Sequence, residues 1–173
     1  MEENKLPFRK PNRLPFFDYS RGGAYFLTIC TENRKQILSR IEKIEQGNLV
    51  GEGFALPKLT RIGQVMEEWL NKIEEHYPTA ELGDYIIMPN HLHMILFLQD
   101  TSGRANPSPT VPNIIGWLKY NITKSVDLPK GQRLFQRSYY DHIIRNRNEY
   151  MEICNYICLN PESWEKDELY SKD

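Results

Sequence analysis

Two apolar runs meet at a Pro-Asn step in Tyr85-Ile86-Ile87-Met88-Pro89-Asn90-His91-Leu92-His93-Met94-Ile95-Leu96-Phe97-Leu98, and no other stretch constrains the fold so strongly. Proline and asparagine suit the corners of a tight turn, so the two runs read as the arms of an antiparallel hairpin. Side chains alternate faces along a strand. Leu92, Met94, Leu96 and Leu98 therefore share one face, and His91, His93, Ile95 and Phe97 share the other. Both faces are largely apolar, so the sheet needs a covering layer on each side. Two imidazoles also project the same way from a rigid element, as a metal site requires. A bare His-x-His is also common on half-exposed strands, and only a third ligand and a reactive group elsewhere give the pair a chemical meaning.

The remaining elements follow in order. Gly22-Gly23 opens Ala24 to Thr31, an aromatic and β-branched first strand. Residues 33–58 carry a weak pattern in which Gly47, Gly51 and Gly53 mark a short hairpin or loop. Thr60 is a candidate N-cap for a helix whose core stripe is Ile62, Val65, Met66, Trp69, Leu70 and Ile73, closed by Pro78. After the central hairpin, Asp100 to Pro112 is a polar, proline-rich loop. Asn113 to Val126 reads as a helix with Ile114, Ile115, Leu118 and Ile122 inward and Lys119 and Lys124 outward. Leu134 to Ile144 holds a fourth strand, and Asn146 to Asn160 a last helix stopped by Pro161. The order strand, helix, strand, strand, helix, strand predicts a ferredoxin-like α+β sheet (βαββαβ), helices on one face. The extra C-terminal helix is the candidate cover for the histidine face. On it, Tyr156 and Asn160 are four residues apart and share a side. With the helix in that place, His91, His93 and the Asn160 amide oxygen form a three-ligand set. Such nitrogen and oxygen donors suit Mn²⁺ or Mg²⁺, and imidazole also suits Zn²⁺ and Ni²⁺.

Composition narrows the class. With 173 residues, 40% hydrophobic and 26% charged, the chain fits one globular domain with a real core. No run reaches the about 18 apolar residues of a membrane span. The first residues lack an apolar secretory segment, and three cysteines, Cys30, Cys154 and Cys158, are an odd number without a Cys-x-x-Cys pair, so a cytoplasmic protein with reduced thiols is expected. Cys154 and Cys158 read as buried small hydrophobes. The net charge of -1 is unevenly spread. Residues 101–150 hold eight Lys or Arg, among them Arg104, Lys119, Lys124, Arg137 and Arg145, against Asp127, Asp141 and Glu149. Residues 1–23 interleave Lys5, Arg9, Lys10, Arg13 and Arg21 with aromatics and prolines, an extended arm able to follow phosphates or to pack on the domain. These ten cations are the candidate contacts to a nucleic-acid phosphate backbone. Residues 24–161 form the expected domain, and 162–173 an acidic tail.

Three ordered motifs resemble a known family. Met88-Pro89-Asn90-His91-Leu92-His93, then Phe135-Gln136-Arg137-Ser138-Tyr139-Tyr140-Asp141-His142-Ile143-Ile144-Arg145-Asn146, then Tyr156-Ile157-Cys158-Leu159-Asn160-Pro161 resemble the REP-associated tyrosine transposases of the His-hydrophobic-His nuclease superfamily. The early Asp18 to Cys30 is similar to them as well. The resemblance implies a metal-dependent endonuclease and strand transferase for single-stranded or hairpin (REP-like) DNA. It implies a histidine pair at His91 and His93, a nucleophile at Tyr156 and a third ligand at Asn160, where single-tyrosine relatives often carry Gln. Tyr139 and Tyr140 are the competing tyrosines, and they lack a ligand partner at helical spacing. The chemistry it implies is attack by the phenol oxygen on phosphorus, with a covalent 5′-phosphotyrosine that stores the bond energy for rejoining without a nucleotide cofactor. A monomer and a homodimer are both compatible with this reading. A catalytically silent DNA- or RNA-hairpin-binding protein and, more remotely, a small metal-dependent hydrolase are the alternatives.

Overall fold

The computed structural model describes residues 22–44, 54–100 and 109–171. Lys5, Arg9, Lys10, Arg13, Arg21 and Arg104 lie outside the described residues, as do nearly all of the N-terminal arm and the last two residues of the tail.

Alternation and turn chemistry produce the expected sheet. Strand β1 (Gly23–Cys30) is followed by a single 3-10 turn at Glu32–Arg34, and then by a two-stranded antiparallel ribbon, β2 (Ser39–Ile44) and β3 (Phe54–Leu59). The weak stretch after the first strand thus contains a hairpin. Helix α1 (Arg61–Leu70) starts at Thr60, whose hydroxyl accepts a hydrogen bond from the Gly63 amide at 3.2 Å. The expected single helix breaks at Asn71-Lys72 and resumes as the one-turn α2 (Ile73–His76), which still buries Ile73. Strands β4 (Ala80–Ile87) and β5 (His91–Leu98) are the arms of the Pro-Asn hairpin. Helix α3 (Val111–Ser125), strand β6 (Tyr140–Ile144) and helix α4 (Arg147–Leu159) complete the domain. Asn146 caps α4, accepting from the Glu149 amide at 3.0 Å.

The main sheet is antiparallel in the order β4-β5-β1-β6, the ferredoxin-like order. Its inner face buries Tyr25, Leu27 and Ile29 with Leu92, Met94, Leu96 and Leu98, against Met66 and Leu70 of α1 and Ile114, Ile115, Leu118 and Ile122 of α3. Each such side chain contributes about 1.5–3 kcal/mol of burial, so this layer carries most of the stability. The other face belongs to α4, where the Phe97 and Tyr150 rings approach to 6.0 Å.

Two expectations are corrected. Lys119 is half-buried rather than outward, because its ammonium turns back to donate to the carbonyls of Gln136 and Ser138 at 2.9 and 3.0 Å. Cys158 is exposed and Cys154 only partly buried, because α4 covers the sheet with its Tyr156–Asn160 side. The described part of the acidic tail, residues 162–171, packs on the domain: Trp164 is buried against the His91 ring at 5.9 Å, and this segment closes over the histidine face.

Candidate metal and tyrosine site

The register of β1 against β5 sets the floor of the site. Cys30 pairs with His91 and Thr28 with His93, so these four side chains share the face that looks away from the core. Each imidazole is held by a neighbour. Asn90 is fully buried, and its Nδ2 donates to the carbonyls of Leu169 at 2.8 Å and Arg34 at 3.2 Å. That fixes the Asn90 amide oxygen toward His91 Nδ1, 2.8 Å away. A carbonyl oxygen can only accept, so His91 Nδ1 carries the proton and Nε2 presents a lone pair. Asn33 and Arg34 both take left-handed backbone, with φ of 55°, and the Arg34 carbonyl produced by that kink meets both Asn90 and the Ser171 hydroxyl. His93 Nδ1 lies 2.8 Å from the Thr28 hydroxyl, which can accept its proton, so that Nε2 presents a lone pair.

Burial keeps both rings neutral. His91 is fully buried and His93 is 3% exposed. For His91, burial followed by the Arg34 guanidinium pulls the pKa down to about 3, while the Asn160 amide, a partner for the protonated ring, raises it. For His93, burial and then repulsion from His91 lower it to about 3, against the attraction of Asp167. Neutral imidazoles are the form that binds a metal.

Helix α4 supplies the lid. Tyr156 and Asn160 lie one turn apart on its covered side, as the spacing predicts. The Tyr156 hydroxyl is 3.2 Å from His93 Nε2, and its ring packs on His93 at 5.2 Å and edge-on to Phe26 at 6.0 Å. At 45% exposure the phenol can still be reached from outside. Asn160 is 2% exposed, its Nδ2 donating to Asp167 Oδ2 at 2.8 Å. Burial first, and then the Asp167 charge, push the Tyr156 pKa up to about 12.

At this site two buried atoms, His91 Nε2 and the Asn160 amide oxygen, have no hydrogen-bond partner among the described residues. Both are acceptors. A buried acceptor without a donor costs about 1–3 kcal/mol, and a cation satisfies two acceptors at once where no donor is available. His91, His93 and the Asp167 carboxylate also bring ligand atoms within 4.8 Å of one another, a cluster compatible with a metal site. The donor set of imidazole nitrogens with amide and carboxylate oxygens fits a divalent ion that accepts mixed ligands, Mn²⁺ better than Mg²⁺. Asp167 escaped the sequence reading because nothing periodic links an irregular segment to a helix seven residues upstream.

A cavity of about 890 Å³ opens beside this cluster, lined by Phe26, Thr28, Arg34, His93, Tyr156 and Asp167 among others. Tyr139 and Tyr140 also line it, so they share the cavity, while the cluster of ligand atoms is His91, His93 and Asp167. Of the candidate cation contacts, Arg137, Arg145 and Lys124 are exposed, and Lys119 is occupied by backbone carbonyls. His142 pairs with Glu149 at 2.6 Å and stays out of the cluster.

Comparison with known proteins follows the same line. No protein-family model matches the chain. It is 29% identical over 180 residues to an uncharacterized protein of Haemophilus influenzae, covering 94% of this chain and 93% of that one. It is 24% identical over 147 residues to the REP-associated tyrosine transposase of Escherichia coli K12, covering 83% of this chain and 68% of the relative. In structure it is similar to a REP-associated tyrosine transposase bound to a REP hairpin, with a TM-score of 0.59 and 21% identity over 83% of this chain and 69% of the other. The chain thus has the fold of that transposase and is similar to a curated transposase over most of its length.

Proposed function

We propose that the protein is a metal-dependent, transposase-like endonuclease and strand transferase for single-stranded or hairpin DNA, with Tyr156 as nucleophile and His91, His93 and Asn160 as metal ligands. One observation carries the reading: a reachable phenol lies 3.2 Å from an imidazole, above two buried acceptors that lack donors. The likeness to the Escherichia coli transposase, and a structural neighbour whose partner is a REP hairpin, support the choice of DNA as substrate.

The chemistry divides between the chain and the ion. A divalent ion held by His91, His93 and Asn160 would supply charge to polarise the scissile phosphate. The chain supplies the rest. Asn90 fixes the His91 tautomer, the Thr28 hydroxyl can accept from His93 Nδ1, and α4 holds the Tyr156 oxygen at the edge of the same cluster. Attack of that oxygen on phosphorus forms a P–O bond to Tyr156 as the phenol gives its proton to solvent, and the bond to the 3′ oxygen breaks, that oxygen taking a proton from solvent. The products are a 5′-phosphotyrosine and a free 3′-hydroxyl, which reverses the step to rejoin strands. At a pKa near 12 the phenol is protonated in neutral solution, and its nearest carboxylate is Asp167, 3.5 Å away. Arg137, Arg145 and Lys124 on the surface, with the cations of residues 1–21, are the proposed phosphate contacts. Lys119, satisfied by backbone, is removed from that set.

A denaturing gel tests the reading. Protein mixed with labelled single-stranded hairpins and Mn²⁺ should yield a labelled band at the mass of protein plus DNA, lost when the metal is chelated. Cleavage without any covalent band would instead favour a metal-dependent hydrolase, and hairpin binding without cleavage the silent binding protein.

A further inference from the structure

Strand β6 is an edge of the sheet, and its outward row continues the site. Tyr140 pairs with Thr28 across β1, and Thr28 pairs with His93 across β5, so the three side chains form one row on the face beneath α4. With strands about 4.8 Å apart, Tyr140 stands about 10 Å from the metal-site histidine, close enough for one nucleotide to bridge. Tyr140 is 53% exposed and lines the same cavity as Tyr156, with Gln136, Ser138 and Phe26.

The support beneath this tyrosine is stiff although it has little regular structure. The approach to β6 is tied to β1 by the Thr31–Phe135 bridge, by the Glu32 amide on the Leu134 carbonyl at 2.9 Å, and by the Gln136 amide on the Cys30 carbonyl at 3.0 Å. From the inner side, the Lys119 ammonium holds the Gln136 and Ser138 carbonyls. Burial lowers the Lys119 pKa to about 8, so the chain spends a desolvated cation on fixing this segment. A large exposed ring on a fixed base loses little entropy when a flat partner lands on it.

We propose that Tyr140 is a stacking platform for an unpaired nucleobase next to the scissile phosphate, with Gln136 beside it to contact the base edge. Stacking there holds the strand across the edge of the sheet and sets the phosphate under Tyr156. The proposal rests on the single-strand reading of the cavity, and Tyr140 is a positioning residue rather than the nucleophile. An unpaired base fits the row better than a duplex does, because the exposed ring on the edge strand stacks only on a base whose face is free.

The test compares two probes by fluorescence anisotropy with the full chain and no metal: a twelve-nucleotide oligodeoxythymidylate, and an oligomer of the same length and charge whose sugars carry no bases. Tyr140→Leu should lose about 5- to 150-fold in affinity for the thymidylate, the value of one stacked base, and nothing for the base-free strand. Tyr140→Phe, which keeps the ring, should bind the thymidylate like the wild type. Equal loss on both probes, unchanged binding by Tyr140→Leu, or a Tyr140→Phe as weak as Tyr140→Leu would overturn the proposal. Because no step of the assay needs cleavage, a base-dependent loss supports the platform whether or not strand transfer is found.

Discussion

Replacing Asn90 with alanine should separate two functions of one side chain. Its Nδ2 donates to the Leu169 and Arg34 carbonyls, and its oxygen accepts from His91 Nδ1 at 2.8 Å. The side chain also reaches the Ser171 hydroxyl at 3.3 Å; the three shorter bonds, one buried and two part-buried, at about 1 kcal/mol each give a destabilisation of about 3 kcal/mol. For a chain of this size that lowers Tm by about 6–12 °C. Losing the acceptor also frees the His91 ring to turn or to change tautomer, and removal of such a partner typically weakens metal binding by about 10- to 100-fold. Asn90→Asp discriminates between the two effects. It keeps an oxygen toward His91 but places the other oxygen against two carbonyls, so it should lose stability while retaining most of the Mn²⁺ affinity. Circular dichroism melts and Mn²⁺ titration by calorimetry, at a temperature where each variant is folded, provide both numbers. A folded Asn90→Ala that binds Mn²⁺ as tightly as the wild type would refute the tautomer argument.

Further outcomes follow from the same geometry. His93→Ala should abolish metal-dependent cleavage of a hairpin while leaving most of its binding, because the exposed cations lie elsewhere; parallel loss of both in a gel-shift and cleavage pair would contradict it. Acid should destabilise the metal-free protein. Both histidine pKa values fall from 6.5 to about 3 on folding, so the unfolded chain binds more protons in that window and stability drops as pH falls from about 6.5 toward 3. The slope is at most about 2.7 kcal/mol per pH unit for the two rings together, and urea titrations at pH 7 and 5 that gave equal stabilities would count against it. Gly63→Ala should destabilise by more than the about 1 kcal/mol that helix propensity would return, because a Cβ there overlaps the Leu38 carbonyl oxygen, and a thermal melt checks the sign.

What could be read from residues alone was what periodicity carries. Period two along β5 separated the histidine face from the leucine face, and the four-residue spacing on α4 brought Tyr156 and Asn160 together. Contacts made by irregular backbone have no such signature. Asn90 was read only as a turn residue, although its amide clamps both Arg34 and Leu169. Lys119 was assigned outward because it is charged, but the carbonyls of Gln136 and Ser138 lie over it. Asp167 was read as part of an acidic tail, while the turn at Trp164–Lys166 carries it back over the site. The stripe from Ile62 to Ile73 was continuous as a pattern, and the break at Asn71-Lys72 left it buried, so the pattern could not reveal the break.

The central claim is that one tyrosine of the ten in the chain takes the DNA. Mass spectrometry of the proteolysed covalent adduct, formed with Mn²⁺ and a single-stranded hairpin, tests it directly. The phosphonucleotide should sit on the peptide that contains Tyr156, and Tyr156→Phe, which removes one oxygen and keeps the ring, should fold and bind DNA but form no adduct. A nucleotide on Tyr139 or Tyr140, or an undiminished adduct from Tyr156→Phe, would contradict the account.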